Sequence, residues 1–200
     1  RQDESGAMLR PQRFPTLQNA SNVLAADLDG DKKPELIVLS VDEETLGIAE
    51  RLDSGRIGFP RRLPTEGKPS AIGVGDLDGD GTPEVLYTCT QGMSRSLVVL
   101  KRAGDDFAPA LKLPLEKARS DPEAIAVADA DQDGRPDIVV IEPFGGMRIL
   151  VQTEPMKFED KSQSPQYGAG LVMKTRAVSF ALGDVTGDAR DVLVDRHQAG

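Results

Sequence analysis

One acidic segment of about nine residues recurs four times along the chain, and this repeat limits the possible folds more than any other feature. The copies cover residues 27–35, 76–84, 129–137 and 184–191, called loops 1 to 4 below. Their first aspartates are spaced 49, 53 and 55 residues apart. A period of this size is typical of a solenoid or a propeller, in which each repeat forms one supersecondary unit.

Each loop lies between two segments with strand character. A short run of small and β-branched residues precedes it, and a nearly continuous apolar run follows it. In the second repeat the pattern predicts strands at about residues 71–75, 84–90, 96–102 and 107–113. Four short strands in one repeat make a propeller blade. The Ala and Gly content of the first strand favours an innermost position near a crowded axis.

The whole chain, residues 1–200, is predicted to be a single all-β propeller segment of four-stranded antiparallel blades. Its repeat units are approximately 22–65, 70–115, 122–162 and 176–196. Phenylalanines are predicted to lead the outer strands, and the stretch around Phe14 is expected to be an outer strand too. Only three and a half to four blades fit into the sequence, and an open array would expose apolar faces. We therefore expect a segment of a larger propeller.

The acidic loops predict metal binding. Carboxylates at positions 1, 3, 5 and 9 and a backbone carbonyl at position 7 form the oxygen-rich ligand set of a Ca²⁺ loop. Without an ion, four carboxylates in nine residues would repel one another. The predicted ligands are Asp27, Asp29, Asp31, Lys33 and Glu35 in loop 1; Asp76, Asp78, Asp80, Thr82 and Glu84 in loop 2; Asp129, Asp131, Asp133, Arg135 and Asp137 in loop 3; and Asp184, Thr186, Asp188 and Asp191 in loop 4.

The loops are expected to differ in affinity. Loops 2 and 3 carry glycine at position 6, where the chain needs a positive φ, and should bind best. Loop 1 has Lys32 at that position, at a conformational cost of about 1 kcal/mol. Loop 4 has lost one carboxylate and one residue, so it should be weakest or empty. An EF-hand is excluded, because its position 12 needs a bidentate glutamate and these loops have Val38, Tyr87 and Val140 there.

The net charge supports this interpretation. The chain carries 33 acidic residues and a formal charge of −9. Fifteen of the acidic residues lie in the four loops, and without them the charge would be +6. Three bound Ca²⁺ ions would bring the total to −3. The acidity is therefore a property of the loops and not of a partner-binding surface.

The second repeat, residues 71–85, resembles the FG-GAP/VCBS repeat of integrin α-subunits and of many secreted or surface-anchored bacterial proteins. The resemblance covers about residues 14–196 and is weakest in the fourth repeat. Because the Phe-Gly pair is absent before the loops, the bacterial VCBS-like variant fits better. The resemblance implies a propeller of six to eight blades, Ca²⁺ between the first two strands of a blade, and an extracellular, periplasmic or cell-surface location.

Three classes of function remain open from the sequence. The first is a non-catalytic interaction or adhesion module whose inter-blade loops bind a protein or a glycan. The second is the propeller portion of a secreted carbohydrate-active enzyme of the polysaccharide lyase class. The third is a lectin, although aromatic platforms are scarce. No catalytic constellation is visible, since the chain has one histidine, His197, and one cysteine, Cys89. The prediction is therefore a protein that is not an enzyme.

Two other partners are excluded. No apolar run approaches the roughly 18 residues of a membrane span. The basic pairs Arg61–Arg62 and Lys101–Arg102 are interpreted as solvated faces, so nothing favours nucleic-acid binding.

Overall fold

The computed structural model describes residues 5–8, 10–118, 120–143, 146–164, 180–183 and 192–195, and all regular structure within these ranges is β. No helix there has the length and apolar character that a membrane crossing requires. The strands are β1 (Asn22–Ala26), β2 (Glu35–Ser40), β3 (Thr45–Ala49), β4 (Arg61–Arg62), β5 (Lys68–Gly75), β6 (Glu84–Gln91), β7 (Ser94–Ala103), β8 (Asp106–Pro114), β9 (Ala124–Ala128), β10 (Asp137–Glu142), β11 (Gly146–Glu154), β12 (Lys157–Asp160), β13 (Phe180–Gly183) and β14 (Val192–Asp195).

The first twelve strands form three sheets of four strands each. Neighbouring strands in the sequence are neighbours in each sheet, and all pairs are antiparallel. We call these sheets blade A (β1–β4), blade B (β5–β8) and blade C (β9–β12). Strands β13 and β14 pair as a further antiparallel hairpin. The prediction of four-stranded antiparallel blades is confirmed.

Blade B follows the sequence pattern closely. Its four strands contain all the residues predicted as strand, and each extends a few residues further at one or both ends. In β6 the first six residues are all buried, although successive side chains point to opposite faces of the sheet. Apolar side chains are therefore needed on both faces, as in a sheet that is covered on both sides.

The blades stack face to face through two apolar clusters. One cluster joins blade A to blade B, and it includes Ile37 and Leu39 of β2 together with Tyr87 of β6. The other joins blade B to blade C, and it includes Leu86 of β6 together with Ile138 of β10. Alternate residues of β6 thus enter different interfaces, which fixes the register of the strand.

The first strands of the blades lie side by side. Strand β1 neighbours β5, β5 neighbours β9, and β9 neighbours β13. The approach between β5 and β9 is close: a Cβ atom built on Gly75 would lie 2.5 Å from a methyl carbon of Val127, and one on Gly73 would lie 2.7 Å from Ile125. The small residues of the first strand are therefore required by an innermost position, as the sequence predicts.

Two of the predicted phenylalanine-led strands are wrong. Phe107 and Phe158 lie in the outer strands β8 and β12, but Phe14 and Phe59 lie outside the strands. Each of the latter two is followed by a proline, Pro15 or Pro60. Proline has no backbone N–H to donate to a ladder, and it restricts the residue before it. The outer strand of blade A is consequently reduced to the two residues of β4.

Candidate metal centres

Loops 1, 2 and 3 each connect the innermost strand of a blade to its second strand. In each loop three carboxylates offer oxygens that lie within 4.8 Å of one another. These carboxylates come from positions 1, 3 and 9 of the repeat. The clusters are Asp27, Asp29 and Glu35; Asp76, Asp78 and Glu84; and Asp129, Asp131 and Asp137. The structure therefore brings together three of the four carboxylates that the sequence predicts as ligands in each loop.

The carboxylate at position 1 holds the backbone of its own loop. In loop 2, Asp76 Oδ1 accepts a hydrogen bond from the amide of Gly79 at 2.8 Å, and Oδ2 accepts one from Gly81 at 2.8 Å. Loop 1 repeats both contacts through Asp27, with the amides of Gly30 and Lys32 each at 2.8 Å. The first aspartate therefore wraps the chain around the point where the three carboxylates converge.

This wrapping needs a left-handed backbone at positions 4 and 6 of loops 1, 2 and 3. Most of these positions are glycine, which adopts positive φ without a steric penalty. Two are not: Lys32 at position 6 of loop 1 has φ 65°, and Gln132 at position 4 of loop 3 has φ 64°. The strain at Lys32 follows from the sequence. The strain at Gln132 is not predicted from the sequence, because the ranking of the loops considers glycine at position 6 alone.

The carboxylate at position 9 is buried and ties the loop to the interface between blades. Glu84 Oε2 accepts a hydrogen bond from the amide of Leu77 at 2.7 Å, and Glu35 Oε2 accepts one from Leu28 at 2.8 Å. The side chains of Leu77 and Leu28, at position 2, are fully buried in the two apolar clusters. Asp137 holds the amide of Ala130 in the same way at 2.8 Å.

Burial sets the electrostatics of these carboxylates. Desolvation raises the pKa of Glu35, Glu84 and Asp137 above the usual carboxyl values, and neighbouring aspartates of each loop raise it further. A buried carboxylate whose pKa is raised by its neighbours is stabilised in its charged form by a nearby cation. Each loop therefore presents a set of oxygen ligands that favours positive charge.

The carboxylates at position 5 lie outside the three clusters. Asp31, Asp80 and Asp133 each accept a hydrogen bond from the amide of position 7, at 2.7, 2.8 and 2.9 Å respectively. Each also pairs with a basic side chain: Asp31 with Lys33, Asp80 with Lys101, and Asp133 with Arg135. The position 7 residues are Lys33, Thr82 and Arg135, and their role as carbonyl ligands stays a prediction.

Loop 4 cannot be compared in this way. Its predicted ligands Asp184, Thr186, Asp188 and Asp191 lie outside the described residues. The flanking strands β13 and β14 pair with each other, as the first two strands of a blade do.

Sequence reasoning missed Lys101. The Lys101 side chain is partly exposed, as the interpretation of Lys101–Arg102 as a solvated face expects, but its ammonium also contacts Asp78 and lies 2.9 Å from Asp80 Oδ2. Strand register could have found it. Val85 pairs with Leu100, so the next residues outward, Glu84 and Lys101, face each other across β6 and β7.

The donor sets fit a hard cation. All three clusters consist of carboxylate oxygens, the ligands that Ca²⁺ and Mg²⁺ take, whereas zinc and copper sites are rich in nitrogen and sulfur. The three arrangements repeat at the same place in successive blades. Repetition of one geometry in three different sequence contexts argues against a chance grouping of surface acids.

Four-stranded blades that stack face to face, with their innermost strands side by side, define a segment of a β-propeller. Two propeller lyases among the solved structures resemble it. A Bacillus licheniformis rhamnogalacturonan lyase, PL11, matches with a TM-score of 0.56 and 19% identity, over 88% of this chain and 39% of its own. An exotype rhamnogalacturonan lyase, YesX, matches with a TM-score of 0.53 and 16% identity, over 88% of this chain and 38% of its own. The chain thus spans about two fifths of either lyase.

Two family models match the repeats in the sequence. The FG-GAP-like repeat matches residues 27–87, and the FG-GAP repeat matches residues 122–155. The repeats within residues 27–155 are therefore assigned to the FG-GAP repeat family. No curated protein has a sequence that matches it significantly.

Proposed function

We propose that this chain is a calcium-binding propeller segment that serves as a non-catalytic, extracellular interaction module. The observation that carries the proposal is the set of three carboxylate clusters, each built from positions 1, 3 and 9 of its repeat and each placed between the first two strands of a blade. Ca²⁺ takes six to eight oxygen ligands in flexible geometry, which suits a loop of carboxylates and backbone carbonyls.

In this proposal the ion is structural. Loop 1 links the carboxylate cluster to Leu28 through Glu35, and Leu28 lies in the interface between blades A and B. An ion at the cluster would neutralise the carboxylates and fix the loop that positions this leucine. Extracellular modules bind Ca²⁺ with dissociation constants of roughly 10⁻⁴–10⁻³ M. At a hundredfold excess over that constant, binding to the folded state alone adds about 2.7 kcal/mol per site.

The proposed interaction role is supported by the charged residues outside the acidic loops, which contact other parts of the scaffold. Arg148 reaches Asp160 at 2.7 Å and the carbonyl of Glu116 at 2.8 Å, which ties blade C to the connection before it. Arg95 binds Asp121 at 2.9 Å and thereby joins β7 to the segment before β9. These groups hold the scaffold together, and the loops between strands are left to present a surface to a protein or glycan ligand.

A second candidate is the scaffold of a carbohydrate-active lyase. The observation that favours it is that both solved structures described above are rhamnogalacturonan lyases and overlay most of this chain. At 19% and 16% identity the likeness concerns the fold, and function is carried by particular sites. Turnover of rhamnogalacturonan or of polyuronates by the full-length protein would favour this candidate, whereas binding without turnover would favour the interaction module.

Calorimetric titration with Ca²⁺ tests the metal. We expect Asp131→Asn to abolish one binding event while the remaining events persist, because Asp131 belongs to only one cluster. The matched control is Glu154→Gln, which removes one charge from an exposed position of the same blade. The proposal fails if the wild-type protein gives no calcium heat, or if both variants change binding equally.

A further inference from the structure

Lys101 enters the carboxylate cluster of loop 2. Its ammonium contacts Asp78, lies 2.9 Å from Asp80 Oδ2 and lies 3.8 Å from Glu84 Oε1. Asp78 and Glu84 belong to the cluster that would hold a metal ion. The Asp78 side chain is 21% exposed and that of Glu84 is 1% exposed, whereas that of Lys101 is 38% exposed. The two carboxylates are thus more shielded from solvent than the lysine that contacts them. The lysine therefore supplies positive charge to the groups that a cation would bind.

The basic residues of loops 1 and 3 are placed differently. Lys33 pairs with Asp31, and Arg135 pairs with Asp133 while its Nε donates to the carbonyl of Gln152 at 2.9 Å. Asp31 and Asp133 occupy position 5 and are not members of the clusters. In loop 1 the basic side chain therefore does not pair with the cluster carboxylates at positions 1, 3 and 9.

The difference lies where the second and third strands of each blade pair. In blade B, Lys101 is the residue after Leu100, which pairs with Val85. In blade A the equivalent residue is Glu50, which follows Ala49, the partner of Leu36. In blade C the corresponding residue is Val151, beyond the Ile138–Leu150 pair, and it is buried. The same structural place thus carries an acidic, a basic and an apolar side chain in successive blades, and only the basic one can reach the loop as a cation.

We infer that Lys101 is a resident cation of loop 2, which Ca²⁺ must displace in order to bind there. This inference rests on the proposed calcium function of the loops. Displacement breaks the contacts of the ammonium with Asp78 and Asp80, and a lysine that stays near would repel the incoming ion. Loop 2 therefore keeps its fold without calcium and binds the ion more weakly than loop 1. This order reverses the one from sequence alone, in which loop 2 binds better than loop 1.

Glycine amides inside the loops allow each site to be followed separately. Gly30, Gly79 and Gly134 lie in loops 1, 2 and 3 respectively. We would titrate ¹⁵N-labelled protein with CaCl₂ and record the three amide resonances by NMR. In the wild-type protein we expect the Gly79 midpoint at a calcium concentration at least tenfold above that of Gly30.

Variants of Lys101 test whether its positive charge causes the high calcium midpoint of loop 2. Lys101→Gln should lower the Gly79 midpoint at least tenfold and, in calcium-free buffer, should reduce the hydrogen-exchange protection of the loop 2 amides. Lys101→Arg keeps the charge and should keep the high midpoint. The matched control is Lys112→Gln, since Lys112 is an exposed lysine of the same blade that pairs with Glu66. It should leave all midpoints unchanged.

The outcomes separate this inference from the proposed function. Equal wild-type midpoints at Gly79 and Gly30 would overturn the inference while calcium binding stands, and this comparison needs no variant. A Gly79 midpoint that Lys101→Gln does not lower would also overturn it. If calcium shifts none of the three resonances, the proposed function and the inference fail together.

Discussion

The backbone amide of Leu77 donates a 2.7 Å hydrogen bond to the carboxylate of Glu84, so the residue that packs between two blades and the residue that closes the acidic loop hold each other. Both are almost completely buried. The same relationship joins Leu28 to Glu35 in loop 1. The carboxylate cluster and the inter-blade packing are therefore linked through this hydrogen bond in loops 1 and 2.

Leu77→Ala should destabilise the fold by about 2–5 kcal/mol, because it removes a fully buried side chain and leaves a cavity between blades B and C. Chemical denaturation measures this free energy of unfolding. Met93→Ala serves as the control, since that side chain is 97% exposed and its removal should change stability by less than about 0.5 kcal/mol. Similar losses for both variants would contradict the assignment of Leu77 to the interface.

Gly75→Ala should destabilise by about 1–3 kcal/mol through overpacking between the innermost strands. The added methyl group would lie 2.5 Å from Val127, a branched side chain that cannot swing away. In contrast, a Cβ atom on Gly58 would first meet the carbonyl oxygen of Glu50 at 3.5 Å, an ordinary contact. Thermal melting should therefore separate Gly75→Ala from Gly58→Ala. A neutral effect at Gly75 would mean that β5 and β9 are further apart than described.

Lys32→Gly and Gln132→Gly should each stabilise the protein, by up to about 1 kcal/mol, because both residues have positive φ. The greater freedom of glycine in the unfolded chain offsets part of this gain. Equilibrium unfolding in the presence of calcium is the appropriate measurement. As a comparison, Lys33→Gly lies one position further along and has no positive φ to relieve, so it should not stabilise.

The phenol of Tyr87 should lose its proton only at high pH. Burial raises its pKa to about 12, although the hydrogen bond from the amide of Glu66 acts in the opposite direction. Because the folded-state pKa lies above the ordinary value of about 10, the stability from this group is complete below pH ~10 and is lost as pH rises through 12.

Phenolate absorbance tests this in a Tyr167→Phe background, where Tyr87 is the only tyrosine. We expect a midpoint near pH 12 that coincides with loss of structure by circular dichroism. A midpoint near 10 in a protein that is still folded would show that Tyr87 is accessible to solvent.

The blade pattern could be predicted from sequence because it depends on local information. The continuous apolar character of residues 84–90 and the Ala and Gly content of 71–75 each reflect one structural requirement, burial on both faces or closeness to the axis. Glycine at position 6 likewise reports a local backbone conformation. These signals need no knowledge of which strands are neighbours.

Other features depend on register, and for this reason they escaped prediction. Lys101 reaches loop 2 only because it lies opposite Glu84 in the paired strands. The two residues are 17 positions apart in the sequence, so their proximity is not evident without the strand register. The role of Leu77 depends on the facing blade. Phe59 is a residue type that favours strands, but Pro60 has no backbone N–H to donate and prevents a strand from forming at Phe59.

Thermal melting across a calcium series tests whether the three clusters bind Ca²⁺ and stabilise the fold. We predict that the melting temperature is lowest in chelator and rises as Ca²⁺ passes through roughly 10⁻⁴–10⁻³ M. Equal concentrations of Mg²⁺ should restore it poorly, because that ion demands tighter octahedral geometry. Asp131→Asn should reduce the rise and Glu154→Gln should not. A melting temperature that is the same in chelator and in saturating calcium would show that the three clusters are acidic turns with no structural ion.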